Sequence, residues 1–100
     1  MFRLIMVTGD SLSPSYREGD YVVVTTIPFL LRRVKAGDTI VFHSDTYGLM
    51  IKRVEIVENG QERIYVVGIN PNSVDSRWFG PIERKVIKGK VVWHIPRQRA

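Results

Sequence analysis

The chain is 100 residues long, the usual size of one folded domain, and we expect residues 1–100 to form a single domain. It contains no cysteine, which excludes a disulfide framework, a thiolate metal site and a cysteine nucleophile. Its net charge of +5 suits either an anionic partner or a solvated basic surface. The apolar stretch Leu4–Val7 is far shorter than the ~20 residues that cross a bilayer. We therefore expect no transmembrane span and a cytoplasmic or peripheral membrane location.

Segments rich in β-branched and aromatic residues predict strands along most of the chain. Two of them follow Gly-Asp pairs, Gly19-Asp20 and Gly37-Asp38. Asn59-Gly60 predicts a hairpin turn, and Gly89 predicts a bulge within the last strand. The predicted strands are, in chain order, Tyr21–Thr26, Thr39–His43, Gly48–Val57, Arg63–Gly68 and Val86–Ile95. No window has a helical period, so we predict mostly antiparallel β-structure in a small barrel or folded sheet.

Two segments lack the strand pattern, and long structured loops in compact domains are often functional. The first, Ile27–Asp38, begins with apolar residues followed by two arginines. This composition predicts either peripheral contact with an anionic membrane or core packing beside solvated charge. The residues concerned are Ile27, Phe29, Leu30, Leu31, Arg32 and Arg33. The second segment, Asn70–Pro81, is a polar loop that contains two aromatic residues.

A serine on a glycine-hinged turn precedes the first predicted strand, within "GDSLSPSYREGDYVVV" (Gly9–Val24). Gly9 permits close backbone approach, and backbone N–H groups at such a turn can point toward a developing oxyanion. Ser11 is therefore a candidate nucleophile, with backbone groups of Gly9, Asp10 and Ser11 as candidate oxyanion donors. A plain turn serine is the alternative, because Gly-Asp-Ser is common turn chemistry.

A serine hydroxyl needs a base to become a nucleophile. His43 and His94 lie at strand ends with no motif around them, which favours structural or solvated roles. Lys52 is the stronger candidate because it shares a strand face with Met50 and Val54. Burial disfavours the charged form of lysine, and a neutral lysine can act as a general base. The alternative is a lysine that extends along a half-exposed face to solvent.

The polar loop supplies a third group of candidates. Ser73 could orient a lysine base through a hydrogen bond, as a third group orients the base in other catalytic sites. Asp75 and Arg77 could form an ion pair that makes the loop rigid. An ordinary polar loop with side-chain turns is the alternative interpretation.

Three blocks in this order resemble the type I signal peptidase family, which with the LexA-type autoproteases forms a group of serine–lysine peptidases. The blocks are "GDSLSPSYREGDYVVV", "IKRV" and "GINPNSVDSRWFGPI" with the later "IKGKV". Together they cover about half of the chain. The chain is also similar to short, anchorless members of the family, such as maturation proteases of nickel-type superoxide dismutase. The resemblance implies a β-rich catalytic core of the signal peptidase and LexA type.

The resemblance also assigns roles to residues of this sequence. It implies that Ser11 is the nucleophile and Lys52 the general base, and that Ser73 holds the lysine amine. It implies that Asp75 and Arg77 brace the site. Backbone groups of Ser11, with Asp10 and Gly9, would form the oxyanion hole. No metal or other cofactor is implied.

Several positions depart from the family pattern. Leu12 follows the serine where the family usually has methionine, a change that conserves volume. Ile69 replaces the carboxylate of a usual Gly-Asp-Asn, and Gly9 stands where some members carry a serine. The sequence also has no segment that matches the membrane anchor of signal peptidases.

These observations predict a serine endopeptidase that removes an N-terminal signal or propeptide from a precursor protein. Two alternatives remain open, a LexA-like regulatory autoprotease module and a catalytically silent peptide-binding domain. The chain has no room for a helical DNA-reading domain, and no nucleic-acid partner is expected. The expected partner is the precursor protein.

Overall fold

The computed structural model of the chain describes residues 1–8, 16–28, 33–58, 60, 62–68 and 74–96. Within these ranges the chain is mainly β-structure and includes the short helix α1 (Ser76–Phe79) and a 3-10 turn at Arg84–Val86. The strands are β1 (Phe2–Met6), β2 (Tyr21–Thr25), β3 (Thr39–Ser44), β4 (Gly48–Glu58), β5 (Arg63–Val67), β6 (Ile82–Glu83) and β7 (Ile87–Ile95). No helix in the described part of the chain has the length and apolar character needed to cross a membrane.

The seven strands form one antiparallel sheet in the order β1-β2-β7-β3-β4-β5-β6. The last strand of the chain, β7, lies between β2 and β3, so it joins the N-terminal strands to the rest of the sheet. The two edge strands do not pair with each other. The predicted mostly antiparallel β-fold is confirmed, and the sheet is open rather than closed into a barrel.

The two Gly-Asp pairs form the same kind of turn before β2 and before β3. Asp20 Oδ2 accepts a hydrogen bond from the Arg17 N–H, and Asp38 Oδ2 accepts one from the Lys35 N–H, both at 2.9 Å. The preceding glycine has φ of +92° in the first turn and +96° in the second, a region that glycine adopts without strain. Each pair therefore ends a tight turn and sets the start of its strand.

The core occupies both faces of the sheet, because alternate residues of a strand point to opposite sides. The smaller cluster lies on the face formed by β2 and Val41 of β3. The larger cluster lies on the other face and is covered by Val34 and by partly buried side chains that follow β5. The buried members of the larger cluster are Val34, Ile40, Phe42, Val54, Ile64, Val66 and Ile87. Those of the smaller are Val7, Val22, Val24 and Val41.

The predicted irregularity in the last strand is present. Val41 pairs with Gly89 and Phe42 with Ile87, so Lys88 is the extra residue of a bulge directly beside Gly89. A Cβ atom at Gly89 would lie 3.0 Å from Cβ and Cγ2 of Val24. Gly89 therefore lets β7 approach β2 closely at this bulge.

Candidate active site

Lys52 is buried in the middle of the sheet. It lies on β4 directly opposite Ile40 of β3, and its residue surface is only 3% exposed. Met50 and Val54 share its face of the strand, and Val54 belongs to the larger core cluster. The prediction that apolar residues surround this lysine is confirmed. This burial distinguishes Lys52 from a lysine whose side chain extends to solvent. Burial of a charged ammonium group is unfavourable.

Asp75 fastens the polar loop to the end of β5. Its carboxylate is fully buried and accepts a hydrogen bond from the Gly68 N–H at 2.8 Å. It also caps α1 by accepting from the Arg77 N–H at 3.0 Å. Val67 pairs with Arg53, so one further step along the antiparallel register brings Gly68 level with Lys52. The loop is thus anchored at the strand position beside the candidate base.

The Asp75–Arg77 ion pair expected from the sequence is present. Arg77 donates to Asp75 through Nε and through a terminal nitrogen at 2.7 Å. Burial by itself raises the pKa of the Asp75 carboxyl, but the hydrogen bonds from Arg77 and Gly68 and the Arg77 charge outweigh it. The pKa of Asp75 therefore lies below its ordinary value, and the group stays ionised. The same pairing raises the pKa of Arg77.

An apolar cleft runs between β1 and β4, which are not hydrogen-bonded neighbours in the sheet. Residues 5–8 form one wall, residues 49–51 form the other, and Val41 of β3 contributes to the lining. Along the chain, the first wall leads to Ser11 three residues after Thr8. The second wall leads directly to Lys52. The lining of the cleft is therefore mainly apolar.

The remaining residues of the predicted site, Gly9, Asp10, Ser11 and Ser73, lie outside the described residues. The described chain on either side of the Ser11 segment is held together. The Val7 N–H donates to the Asp20 carbonyl oxygen at 2.7 Å, and the Gly19 N–H donates to the Val7 carbonyl oxygen at 2.9 Å. Both sides of the segment are thus attached to the turn that starts β2.

The two histidines have different surroundings. His94 Nε2 lies 2.7 Å from Oδ2 of the buried Asp20, and its ring packs on Tyr16 with centroids 4.5 Å apart. His43 is exposed on β3, with Nδ1 3.9 Å from Asp45 Oδ1. The Asp20–His94 pair was not predicted from the sequence, because 74 residues separate its members.

The proposed membrane segment is described only at its ends. Phe29, Leu30, Leu31 and Arg32 lie outside the described residues, while Ile27 is half-buried and Arg33 is exposed. Membrane contact by this segment stays a prediction. Among the described residues, no group of three His, Cys, Asp or Glu side chains could hold a metal ion.

Comparison with known proteins identifies the family of the chain. Signal peptidase I of Bacillus caldolyticus is 26% identical to this chain over 94 residues, which cover 91% of this chain and 51% of that protein. The chain thus spans about half the length of this relative. The family described as Peptidase S24-like matches residues 2–92. The match covers nearly the whole chain and supports a peptidase-like function, and the chain belongs to the Peptidase S24-like family.

Proposed function

We propose that the protein is a serine endopeptidase in which Ser11 is the nucleophile and Lys52 the general base, and that it removes an N-terminal signal or propeptide from a precursor. The observation that carries this proposal is the burial of Lys52 on β4, next in the chain to Ile51 of the cleft lining. The opposite wall of the cleft continues along the chain to Ser11. Membership of a peptidase family supports the same reading.

The proposed reaction follows from these groups. Neutral Lys52 takes the proton of the Ser11 hydroxyl, and the oxygen attacks the scissile carbonyl. Backbone N–H groups from Gly9 to Ser11 stabilise the oxyanion of the tetrahedral intermediate. The Lys52 ammonium then returns the proton to the leaving amine as the C–N bond breaks. A water molecule, deprotonated by Lys52, attacks the acyl-enzyme ester and releases the second product and the Ser11 hydroxyl.

Asp75 and Arg77 act in this proposal as positioning residues. The hydrogen bond from Gly68 to Asp75 holds the polar loop at the level of Lys52. Ser73, two residues before Asp75, is proposed to accept or donate a hydrogen bond at the Lys52 amine and so to orient it. A fully buried, ionised carboxylate with several donors gives the rigidity that a positioned base requires.

The substrate is proposed to bind as an extended strand in the cleft between β1 and β4. Main-chain groups of such a segment can pair with strand edges, while its side chains enter the apolar lining. The N-terminal extension of a precursor is suited to this mode because it can be extended before it binds. The name of the Bacillus relative, signal peptidase I, supports this substrate class.

The proposal is tested by two variants and one chemical probe. Ser11→Ala removes the nucleophile, and Lys52→Met removes the amine while conserving volume within the core. Each is expected to abolish cleavage of a precursor peptide and labelling by a fluorophosphonate, which reacts with activated serines. Ser44→Ala and Lys85→Ala, which change other described residues of the same types, are the controls and should retain activity. Full activity of Lys52→Met would exclude the dyad.

Labelling and cleavage together separate the two alternatives. A catalytically silent peptide-binding domain would bind peptides without being labelled at Ser11. A regulatory autoprotease would cleave its own chain and not an added precursor. Incubating the Ser11→Ala variant with a cell lysate, followed by identification of the captured proteins, then reveals the precursor.

A further inference from the structure

The apolar cleft continues into a second section with a different lining. This section shares Ile5, Val41 and Leu49 with the first and adds three basic side chains, Arg3, His43 and Lys88. Its lining thus combines apolar side chains with groups that carry or can acquire a positive charge. Among the described residues, the lining contains no carboxylate.

Two of these cations have no acidic partner among the residues that the structure describes. Within the part of the chain that the structure describes, neither Arg3 nor Lys88 forms an ion pair, and His43 faces the exposed Asp45 at 3.9 Å. Three other described cations form pairs with carboxylates, Lys90–Asp38, Arg77–Asp75 and Lys85–Glu83, while others such as Arg17 and Arg63 form none. This section of the cleft therefore holds two cations that no described carboxylate neutralises.

The position of Lys88 depends on a specific feature of the fold. Lys88 is the extra residue of the β7 bulge, between Ile87 and Gly89. Bulges commonly redirect a side chain away from the regular alternation of the strand. The close approach of Gly89 to Val24 fixes this bulge in place. The β7 bulge thus places Lys88 in the lining of the cleft.

We propose that this second section binds an acidic side chain of the substrate, and so selects peptides that carry Asp or Glu at a fixed distance from the cleaved bond. The inference rests on the proposed function, because it assumes that a peptide lies in the cleft. Arg3 lies on β1 and Thr8 follows the end of this strand. Their separation of five residues corresponds to about 17 Å of extended chain. The acidic residue is therefore expected roughly five positions from the substrate residue beside Thr8.

Peptide binding tests the inference without any need for cleavage. The Ser11→Ala variant is titrated with fluorescent peptides of alanine and valine that carry one Glu, Gln or Lys at successive positions. At one position we expect Glu to bind about three- to tenfold more tightly than Gln, and Lys more weakly, as one or two partly exposed ion pairs would give. The preference should diminish as the salt concentration rises.

Charge reversal identifies the residues responsible. In the Ser11→Ala background, Arg3→Glu with Lys88→Glu is expected to reverse the preference, so that the Lys peptide binds more tightly than the Glu peptide. Lys35→Glu makes the same kind of charge change at an exposed position outside the cleft lining, and it should leave the order unchanged. Thermal unfolding of each variant establishes that it is folded.

The outcomes separate this inference from the proposed function. Equal binding of Glu, Gln and Lys peptides at every position, or an unchanged preference in the double reversal, overturns the acidic subsite. If no peptide binds at all, the acidic subsite is also overturned. The proposed function is judged separately, by cleavage and by labelling of Ser11 in the unaltered protein.

Discussion

The carboxylate of Asp75 and the backbone N–H of Gly68 are joined by a buried hydrogen bond of 2.8 Å. Through it, one side chain connects the end of β5, the start of α1 and the guanidinium of Arg77. Since Gly68 is level with Lys52 across the sheet, this bond sets the position of the polar loop relative to the candidate base.

Asp75→Ala should destabilise the fold and reduce activity more than stability alone would explain. The variant leaves the buried Gly68 N–H without its acceptor, which costs about 1–3 kcal/mol. Loss of the anchor also releases the loop that contains Ser73, so we expect a fall in kcat under conditions where the variant is fully folded. Denaturant unfolding and peptide cleavage are measured on the same samples.

Asp45→Ala is the matched control for this prediction, because Asp45 is fully exposed. It should change neither the unfolding midpoint nor kcat. If Asp75→Ala retained wild-type kcat once folded, Asp75 would be a stabilising residue without a role in positioning the site.

The stability of the protein should fall in acid partly because of Asp75. Its pKa in the folded state lies below its ordinary value, so the unfolded state binds the proton more tightly. The contribution is therefore fully present above about pH 5, and it is lost as the pH falls through the folded-state pKa. Urea midpoints between pH 6 and roughly pH 2 should show a smaller acid dependence in Asp75→Asn than in the wild type. Identical dependence would contradict the assignment.

Much of the fold follows from local sequence patterns. The runs of valine and isoleucine gave β2 to β5 and β7 to within one residue at each end, since β-branched side chains fit a pleated surface. Strand β1 was missed, because Phe2, Leu4 and Met6 on one face alternate with Ile5 and Val7 on the other. With apolar residues on both faces, its sequence carries no two-residue period.

Part of the candidate site could also be predicted from local sequence patterns. The burial of Lys52 is visible in its strand neighbours, and the cap at Asp75 is local. The cleft between β1 and β4 cannot be predicted from the sequence. It depends on the curvature of the sheet, in which β7 lies between β2 and β3. The partnership of Asp20 and His94 likewise depends on long-range strand pairing.

Gly89→Ala should destabilise the protein by about 1–3 kcal/mol, the usual cost of overpacking a core. The added methyl group would lie 3.0 Å from two atoms of Val24 and 3.2 Å from the carbonyl oxygen of Thr25. For a domain of this size each kcal/mol corresponds to a loss of about 4–8 °C in Tm, which calorimetry would detect. A double-mutant cycle with Val24→Ala is the control. The Gly89→Ala change should cost less in that background, and strict additivity would show that contact with the Val24 γ-methyl groups is not the cause.

The segment from Ile27 to Arg33 is expected to bring the protein to anionic membranes. Apolar side chains can enter the headgroup region, and each nearby cation contributes about 1 kcal/mol. Sedimentation with phosphatidylserine-containing vesicles should exceed sedimentation with neutral vesicles. Arg33→Glu, at an exposed position, should weaken it severalfold, while Arg63→Glu on the exposed end of β5 serves as the control. Equal sedimentation with both kinds of vesicle, or equal effects of the two variants, would exclude this segment as the contact.

The dependence of activity on pH should report the burial of Lys52. Burial disfavours the ammonium form, and the reaction proposed above requires the neutral amine. With a substrate that has no titrating group, kcat/KM should rise with pH and reach a plateau, with an apparent pKa clearly below the value of about 10.4 for free lysine. Unfolding measured at each pH separates titration of the base from loss of structure. A rise that follows free lysine would mean that the proton acceptor is not this buried side chain, because a lysine that is 3% exposed in an apolar strand should not titrate like one in water.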